Sequence, residues 1–295
     1  MPPFKKAFSL IELSVVILII GILVAGVTQG SRLVREIKFA TARSMTKASD
    51  VNSIPDLAIW LETTSDKSFT VEQPEDGFAI AQWNDINPQA TDGGKVLAIN
   101  AAGGKQPLYT VGALNGLPAL RFDGIDDNMA VADGFDNDTE NVTVFFVWKP
   151  KGTGNAEMDL LEKWEGSGGY PYVLRSTSVY SLRTYDGALN PIVSSTTPRL
   201  KDNIVILSAR RTKSGILSLW VNGVKGNADV VDTTSATVGS TVNNGRLGIC
   251  ARLTSNVGYC NGDVGEAIIF SRALKDEERK AVEKYLGKKW GIRVT

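Results

Sequence analysis

The hydrophobic and polar positions of this 295-residue chain change their period along its length, and each change marks a different kind of element. Residues 8–27 carry one charge, Glu12, and as a helix would span about 30 Å, the thickness of a bilayer core. Over residues 33–51 apolar positions recur every three or four among basic ones, which predicts that the helix continues as an amphipathic helix. Pro55 cannot continue the hydrogen-bond ladder, so we expect the helix to end just before it.

Beyond residue 54 the pattern is typical of short strands, because apolar or alternating runs are separated by Gly, Asn, Asp and Pro. Val142–Trp148 is β-branched and aromatic almost throughout, which predicts a central strand covered on both faces. Asn222-Gly223 lies between strand residues and predicts a hairpin, since both turn residues take positive φ. Further strands are predicted at Leu57–Leu61, Pro118–Phe122, Ile204–Ala209, Ile216–Val221 and Ala267–Phe270.

A second helix is predicted at 275–288, where an apolar stripe passes through Val282 and Leu286 and continues to Trp290. Its first turn is acidic and its last turn is basic, which complements the helix dipole. The sequence therefore predicts a mainly β protein with a long N-terminal α-helix, an antiparallel β-sandwich head and a C-terminal helix.

Charge and composition narrow the function classes. The chain has 32 Lys+Arg against 32 Asp+Glu and no His, so its formal net charge is zero. A neutral chain argues against binding to nucleic acid. The absence of His excludes Ser-His-Asp and Cys-His nucleophilic sites, His-ligated zinc and imidazole pH switches.

The N-terminal string KKAFSLIELSVVILIIGIL, Lys5–Leu23, resembles the processing site of type IV prepilins and pseudopilins. The resemblance implies that a prepilin peptidase removes the leader, residues 1–7, by cutting between Ala7 and Phe8, and that the new N-terminus is methylated. Ala7 stands where this family nearly always has Gly. The family also pairs a carboxylate at the position of Glu12 with the free amine of a neighbouring subunit's first residue, here Phe8. A carboxylate that is costly in lipid then fixes the register of a filament.

The same resemblance implies a cellular location and partner proteins. The precursor would lie in the inner membrane with its head outside the cytoplasm, and the assembled filament would lie at the cell surface. Other pilin subunits would contact the N-terminal helix. A plain single-pass anchor with an accidental Glu12 is the alternative interpretation.

Three segments of the head, in order, resemble the laminin G-like, concanavalin A-like jelly roll: Leu120–Asp127, Leu219–Gly223, and Gly262–Leu274 followed by Glu283–Gly291. The resemblance covers residues 54–295 and implies two curved antiparallel sheets, a carbohydrate or protein ligand in many members, and calcium in some. The fold alone does not identify the ligand, because it hosts lectins, adhesion modules and glycanases. The predicted organisation is a leader (1–7), a membrane-spanning and amphipathic pilin helix (8–53) and a jelly-roll head (54–295).

Cys250 and Cys260 are the only cysteines, and the anchor would place them outside the cytoplasm. A disulfide between them is therefore predicted. The loop that it closes is a candidate binding edge, although a purely structural role is the simpler interpretation.

The string EMDLLE, Glu157–Glu162, resembles the E-x-D-x-x-E motif of laminarinase-type glycoside hydrolases, in which one Glu is the nucleophile and the other the acid. Retaining chemistry needs two carboxyls about 5 Å apart on one face, with Asp159 tuning their pKa. Alternation places Glu157 and Asp159 on one face and Glu162 on the other unless a bulge intervenes. The alternative is a strand with buried leucines and acids at its solvated ends.

Two further sets of residues are weaker candidates. The first set offers clustered oxygen ligands of the kind that calcium binds, although the same residues are also typical of an ordinary turn: Asp123, Asp126, Asp127 and Asn128. The second set is aromatic, and its rings would stack on sugars if they were exposed: Trp164, Tyr170 and Tyr172. Aromatic residues beside strands more often lie in the core.

The sequence thus predicts a type IV pilin-like filament subunit, minor or at the tip because of its large head, that displays a lectin-like domain for adhesion or ligand binding. One alternative is a pseudopilin of a type II secretion system. A second alternative is a membrane-tethered glycoside hydrolase that uses Glu157 and Glu162. No cofactor is implied apart from calcium.

Overall fold

The computed structural model has two compact units, Met1–Thr41 and Ala42–Thr295. The second unit, called the head below, contains the end of the N-terminal helix and all that follows. The residues described are 10–91, 95, 97–100, 103–131, 141–152, 156–163, 170–185, 189–231, 246–253 and 255–295.

The N-terminal helix α1 is one continuous helix, Leu10–Lys47, followed by a 3₁₀ turn, Asp50–Asn52. It is shorter than the sequence predicted, because it ends before the turn and not next to Pro55. The side-chain amide of Asn52 donates hydrogen bonds of 3.0–3.1 Å to the main-chain oxygens of Thr46, Lys47 and Ser49. These bonds satisfy carbonyls that have lost their helical partners, so Asn52 sets the end of α1.

The last turns of α1 belong to the head. Ala42 and Thr46 are buried, and Arg43 Nε donates to the main-chain oxygen of Thr64 at 2.7 Å. The head therefore begins inside α1, at Ala42, and not after the helix.

The first sheet contains nine of the described strands. They are β1 (Leu57–Glu62), β4 (Leu108–Leu114), β5 (Leu117–Asp123), β7 (Val142–Pro150), β12 (Val205–Arg211), β13 (Ile216–Val221), β14 (Val224–Lys225), β15 (Val230–Val231) and β17 (Asn261–Phe270). Their order across the sheet is β14-β13-β12-β7-β17-β5-β4, with β1 also paired to β17 and β15 also paired to β13.

The second sheet contains the other eight strands that the structure describes. They are β2 (Gln82–Asn84), β3 (Leu97–Ile99), β6 (Met129–Val131), β8 (Met158–Lys163), β9 (Tyr170–Ser176), β10 (Val179–Tyr185), β11 (Ile192–Pro198) and β16 (Leu247–Ile249). Their order is β11-β10-β9-β8-β16-β6-β3-β2. The two antiparallel sheets form a β-sandwich, as predicted.

Strand β7 is central and covered on both faces, which confirms the prediction from its composition. It lies between β12 and β17 and is buried except at Lys149. Phe146 and Trp148 point into the core between the sheets, while Phe145 and Val147 point into a second core on the other face of the first sheet. The Asn222-Gly223 hairpin is also confirmed, with φ of 53° and 82°.

The C-terminal helix α2, Asp276–Trp290, packs on the outer face of the first sheet and buries Val282, Leu286 and Trp290. Gly291 follows it at φ 65°, a left-handed conformation that glycine adopts without strain, and ends the helix. The second core, between the first sheet and its helical cover, includes residues of α2 and of the end of α1. The candidate site lies on the other sheet.

Candidate functional site

The N-terminal candidates lie on or before α1. Ala7 and Phe8, the predicted processing site, fall outside the described residues. Glu12 lies in the first turn of α1 and is exposed. The helix is long and apolar enough to cross a membrane, and none of its most apolar stretch is buried in the structure. Such a surface requires lipid or other chains around it.

A β-bulge in β8 brings the acidic string together. Asp159 pairs with Arg175 of β9, whereas Leu161 pairs with Leu174, and the register shifts between the two pairs. Without the bulge, alternation would place Asp159 and Glu162 on opposite faces. The bulge places both on the outer face of the second sheet, opposite the face that carries Leu161 into the core.

Two arginines hold these carboxylates in an ion-pair cluster. Arg252, from the loop after β16, contacts Glu157 and lies 3.0 Å from Asp159 Oδ2. Its Nε is 3.6 Å from Glu162 Oε1. Arg175 lies 2.5 Å from Asp159 Oδ1 and 2.7 Å from Glu157 Oε1. We call these five residues the acid–arginine cluster; Asp159 and Glu162 are buried, and the Glu157 side chain is 44% exposed.

The arrangement of the cluster differs from that of a retaining glycosidase. Such an enzyme keeps two carboxyls facing a space that the sugar occupies. Here the guanidinium of Arg252 contacts both Glu157 and Glu162 and occupies that space. In the arrangement observed, the cluster holds a loop onto the second sheet.

Glu162 is the most perturbed member of the cluster. Neither of its carboxyl oxygens has a hydrogen-bond donor among the residues that the structure describes. Burial, and then repulsion from Asp159, raise the pKa of Glu162 to about 8, although Arg252 lowers it. The carboxyl therefore holds a proton at neutral pH.

This raised pKa predicts a pH dependence of stability. The folded state binds a proton at Glu162 that the unfolded state releases between about pH 4.5 and pH 8, so the free energy of unfolding falls as pH rises through that window. Glu162→Gln imitates the protonated acid and should raise the free energy of unfolding at pH 8 by on the order of 2 kcal/mol. Urea unfolding of the wild type and the variant at pH 5 and pH 8 measures this difference.

Glu157→Gln is the matched control in the same cluster. It removes ion pairs to Arg175 and Arg252, so it should lower stability at both pH values. A Glu162→Gln variant that follows the wild-type pH profile would show that Glu162 does not titrate in this window.

The loop that supplies Arg252 is a short hairpin with the two cysteines at its base. The Cys260 N–H donates to the Cys250 oxygen at 3.1 Å, and Arg252 N–H donates to the Val257 oxygen at 2.8 Å. Gly258 lies against the acidic string, because a Cβ there would stand 2.6 Å from Asp159 Oδ2. The candidate binding loop and the acidic string, separate in the sequence, thus form one surface.

Cys250 and Cys260 are both buried, and Cys260 Sγ donates to the Asp159 main-chain oxygen at 3.7 Å. The disulfide remains a prediction. Protein purified from an oxidising compartment should have a mass lower by two hydrogen atoms, and reduction should destabilise it by about 2–3 kcal/mol. Two titratable thiols in the denatured, unreduced chain would contradict the disulfide.

The calcium candidates gather in the turn between β5 and β6. One carboxylate oxygen from each of Asp123, Asp126 and Asp127 lies within 4.8 Å of the others. Burial raises the pKa of Asp127 to about 6, and the charges of Asp123 and Asp126 add to this. The amide nitrogen of Asn128 donates to the Asp126 main-chain oxygen at 2.9 Å. Carboxylate oxygens suit calcium, and Asp123 also accepts main-chain hydrogen bonds, as in an ordinary turn.

The aromatic candidates do not form a common platform. Tyr172 is 2% exposed and lies in the core between the sheets, so its prediction as a sugar-stacking ring is wrong. Trp164 lies outside the described residues. Tyr170 begins strand β9, and only its backbone is described.

A buried polar network behind the first sheet was not predicted. Lys289 Nζ of α2 lies 2.8 Å from Glu62 Oε2 and 2.9 Å from Glu266 Oε2, and all three side chains are fully buried. Trp60 Nε1 and Trp290 Nε1 donate to Glu266 at 2.7 and 2.8 Å. We call these five residues the lysine network.

The lysine network extends to the end of α1. Tyr285 OH donates to Glu266 Oε1 at 2.8 Å and lies 3.2 Å from the Thr46 hydroxyl. The sequence contains one signal for this network. Two otherwise apolar strands each carry an acidic residue, Glu62 in LAIWLE and Glu266 in VGEAIIF, and a buried acid needs a buried partner.

Comparison with known proteins supports the N-terminal interpretation. A family model described as the prokaryotic N-terminal methylation motif matches residues 3–28. This prepilin-type motif, which includes the apolar first half of α1, indicates a membrane-anchored precursor that a prepilin peptidase processes and that assembles with other pilin subunits. No curated protein matches the chain in sequence.

Solved structures share the fold of the head. The Trypanosoma rangeli sialidase with 2,3-difluorosialic acid is 13% identical with a TM-score of 0.53, over 89% of this chain and 39% of that one. The binding domain of Paraclostridial Mosquitocidal Protein 1 is 12% identical with a TM-score of 0.55, over 82% and 56%. Domain 4 of AbnA, a Geobacillus stearothermophilus arabinanase, in complex with arabinotriose, is 13% identical with a TM-score of 0.50, over 78% and 98%.

These identities show the β-sandwich fold alone. The chain spans about two fifths of the sialidase chain.

Proposed function

We propose that the protein is a type IV pilin-like filament subunit whose β-sandwich head is a lectin-like module for adhesion or ligand binding. The match of residues 3–28 to the N-terminal methylation motif carries the proposal. The exposed apolar surface of α1 supports it, because helix packing in a filament would cover that surface. The precursor would lie in the inner membrane with its head outside the cytoplasm.

The size of the head supports a minor or tip-located subunit. The compact unit Ala42–Thr295 is large for repeated packing along a thin filament, whereas a tip position leaves its outer surfaces free. A pseudopilin of a type II secretion system has the same N-terminal signal. Loss of filaments, with secretion intact, on deletion of the gene would favour the pilus.

The proposed ligand is a glycan. Domain 4 of the arabinanase, which shares the fold, has arabinotriose bound, and this likeness supports the proposal through the fold only. On this chain the outer face of the second sheet offers charged groups of the acid–arginine cluster, including the half-exposed Glu157. The turn with Asp123, Asp126 and Asp127 would hold calcium in this proposal.

A glycan array tests the binding role. The full-length oxidised protein in detergent is applied with calcium or with chelator, and we expect specific binding to one glycan class. If chelator abolishes glycan binding and the double substitution Asp123→Asn/Asp126→Asn abolishes it as well, calcium is assigned to the turn. Asp202→Asn, in an exposed turn elsewhere, is the control. Absence of binding to any glycan would contradict the lectin-like role and leave the filament role intact.

A polysaccharide digest tests the glycoside hydrolase alternative. Since Arg252 contacts both Glu157 and Glu162, we expect no sugar release by the wild type. Sugar release that Glu157→Gln or Glu162→Gln abolishes would establish the enzyme instead.

A further inference from the structure

Helix α2 carries a row of lysines on its exposed side. Lys280, Lys284 and Lys288 are exposed and four residues apart, so they share one face of the helix. Among the described residues, no ion pair within the chain engages them. We call these three residues the lysine row.

The lysine row borders a groove between α2 and the C-terminal residues. Ile292 and Val294, both half-buried, and Gly287 give the groove an apolar lining beside the lysines. The last residue lies against the hairpin between β13 and β14, where Thr295 N–H donates to the Asn222 oxygen at 3.2 Å. The groove therefore lies near the β14 edge of the first sheet.

An acidic segment lies beside β4, the edge strand of the same sheet. Residues 71–78 expose Glu72, Glu75 and Asp76, and no basic residue occurs between Lys67 and Lys95. Val71 and Phe78, at the two ends of the segment, are 44% and 46% exposed. The segment thus combines negative charge with exposed apolar groups, the complement of the lysine row and its groove.

Hydrogen bonds fix the acidic segment to β4. Asp76 Oδ1 accepts from the Val111 N–H at 2.8 Å, and Gly77 N–H donates to the Tyr109 oxygen at 2.8 Å. Among the described residues of one head, no hydrogen bond or ion pair joins the acidic segment to the lysine row, so the two patches do not meet there.

We propose that the lysine row and groove of one copy receive the acidic segment 71–78 of a second copy. A contact between two different patches is heterologous, so it joins adjacent copies head to tail, as in a short run of copies at the filament tip, and not in closed pairs. The inference rests on the assembly part of the proposed function and adds the head surfaces that would meet. Exposed ion pairs are weak individually, so this contact would mainly set orientation and partner choice.

A zero-length cross-link tests the contact in the full-length protein. Ordinary and ¹⁵N-labelled copies are mixed in detergent and treated with a water-soluble carbodiimide, which joins a lysine amine to a carboxylate in direct contact. We expect cross-linked peptides of mixed isotope that join Lys280, Lys284 or Lys288 to Glu72 or Glu75. Their yield should fall as ionic strength rises.

Charge reversal gives the decisive comparison. Lys280→Glu/Lys284→Glu and Glu72→Lys/Glu75→Lys should each lower the mixed-isotope yield at least about tenfold, because each converts attraction into repulsion. The chain with all four substitutions should recover it. Lys105→Glu/Lys201→Glu, at exposed lysines elsewhere, should leave the yield unchanged.

Three results would overturn the inference. The first is that the cross-links join copies of a single isotope only, and the second is that the four-substitution chain does not recover the mixed-isotope yield. The third is that phosphatidylglycerol vesicles, and not a second copy, protect the Lys284 amine from chemical modification. The last result would identify a membrane surface as the occupant of the lysine row. Filament incorporation that still requires Glu12 would, in any of these cases, leave the proposed function standing.

Discussion

Replacing Lys289 by Ala is expected to lower the free energy of unfolding of the head by about 3–5 kcal/mol, the cost of removing one partner from a buried ion pair. The Lys289 ammonium is the cation shared by Glu62 and Glu266, and none of the three side chains is exposed. Burial lowers the pKa of Lys289, but Glu266 and Glu62 raise it further, so the lysine is charged in the folded state. Its removal leaves two carboxylates behind the sheet without a counter-charge.

Intrinsic tryptophan fluorescence in urea measures this loss in the full-length protein. All six tryptophans lie in the head and none in α1 before Ala42, so the signal reports the head alone. A loss of this size corresponds to a fall in Tm of about 10 °C for a unit of this length. Two of the tryptophans, Trp60 and Trp290, donate hydrogen bonds directly to Glu266.

Lys288→Ala is the control, because Lys288 directly precedes Lys289 in α2 and its side chain is exposed. It should change the free energy of unfolding by less than about 0.5 kcal/mol. A Lys289→Ala variant as stable as Lys288→Ala would contradict the view that the lysine network holds α2 and the end of α1 to the first sheet.

Glu12→Ala is expected to leave membrane insertion intact and to lower incorporation into filaments at least about tenfold. The substitution removes a carboxylate that is costly in lipid, so insertion of the single subunit becomes easier. Assembly loses the ion pair that the proposed function assigns to Glu12 and the processed N-terminus of a neighbour. The two effects have opposite signs, which separates an assembly role from an anchoring role.

Fractionation of membranes and of sheared filaments, each probed for the head, measures both quantities. Glu36→Ala is the matched control on α1, because Glu36 is exposed and pairs with Arg32 within the same helix at 3.0 Å. It should incorporate normally. Normal incorporation of Glu12→Ala as well would contradict the pilin-like assembly and favour a plain membrane anchor.

The sequence by itself determined the elements whose signals are local. Twenty nearly uncharged residues define the N-terminal helix, and strand composition located β7 and the predicted neighbours of the first sheet. The Asn222-Gly223 turn and the apolar stripe of α2 were predictable because each depends on residues within a few positions of one another. The end of α1 was not, because the side chain of Asn52 ends it before Pro55 is reached.

Only the tertiary structure decided which charged residues meet. Arg252 and Glu157 are 95 residues apart, and Lys289 and Glu62 are 227 apart, so no spacing rule connects them. A single bulge at Asp159 reversed the face of Glu162, because strand periodicity is two and one extra residue inverts it. The positions of the lysine row and the acidic segment on the head likewise follow from how α2 and residues 71–78 pack on the first sheet, which is set by long-range packing and not by any local pattern.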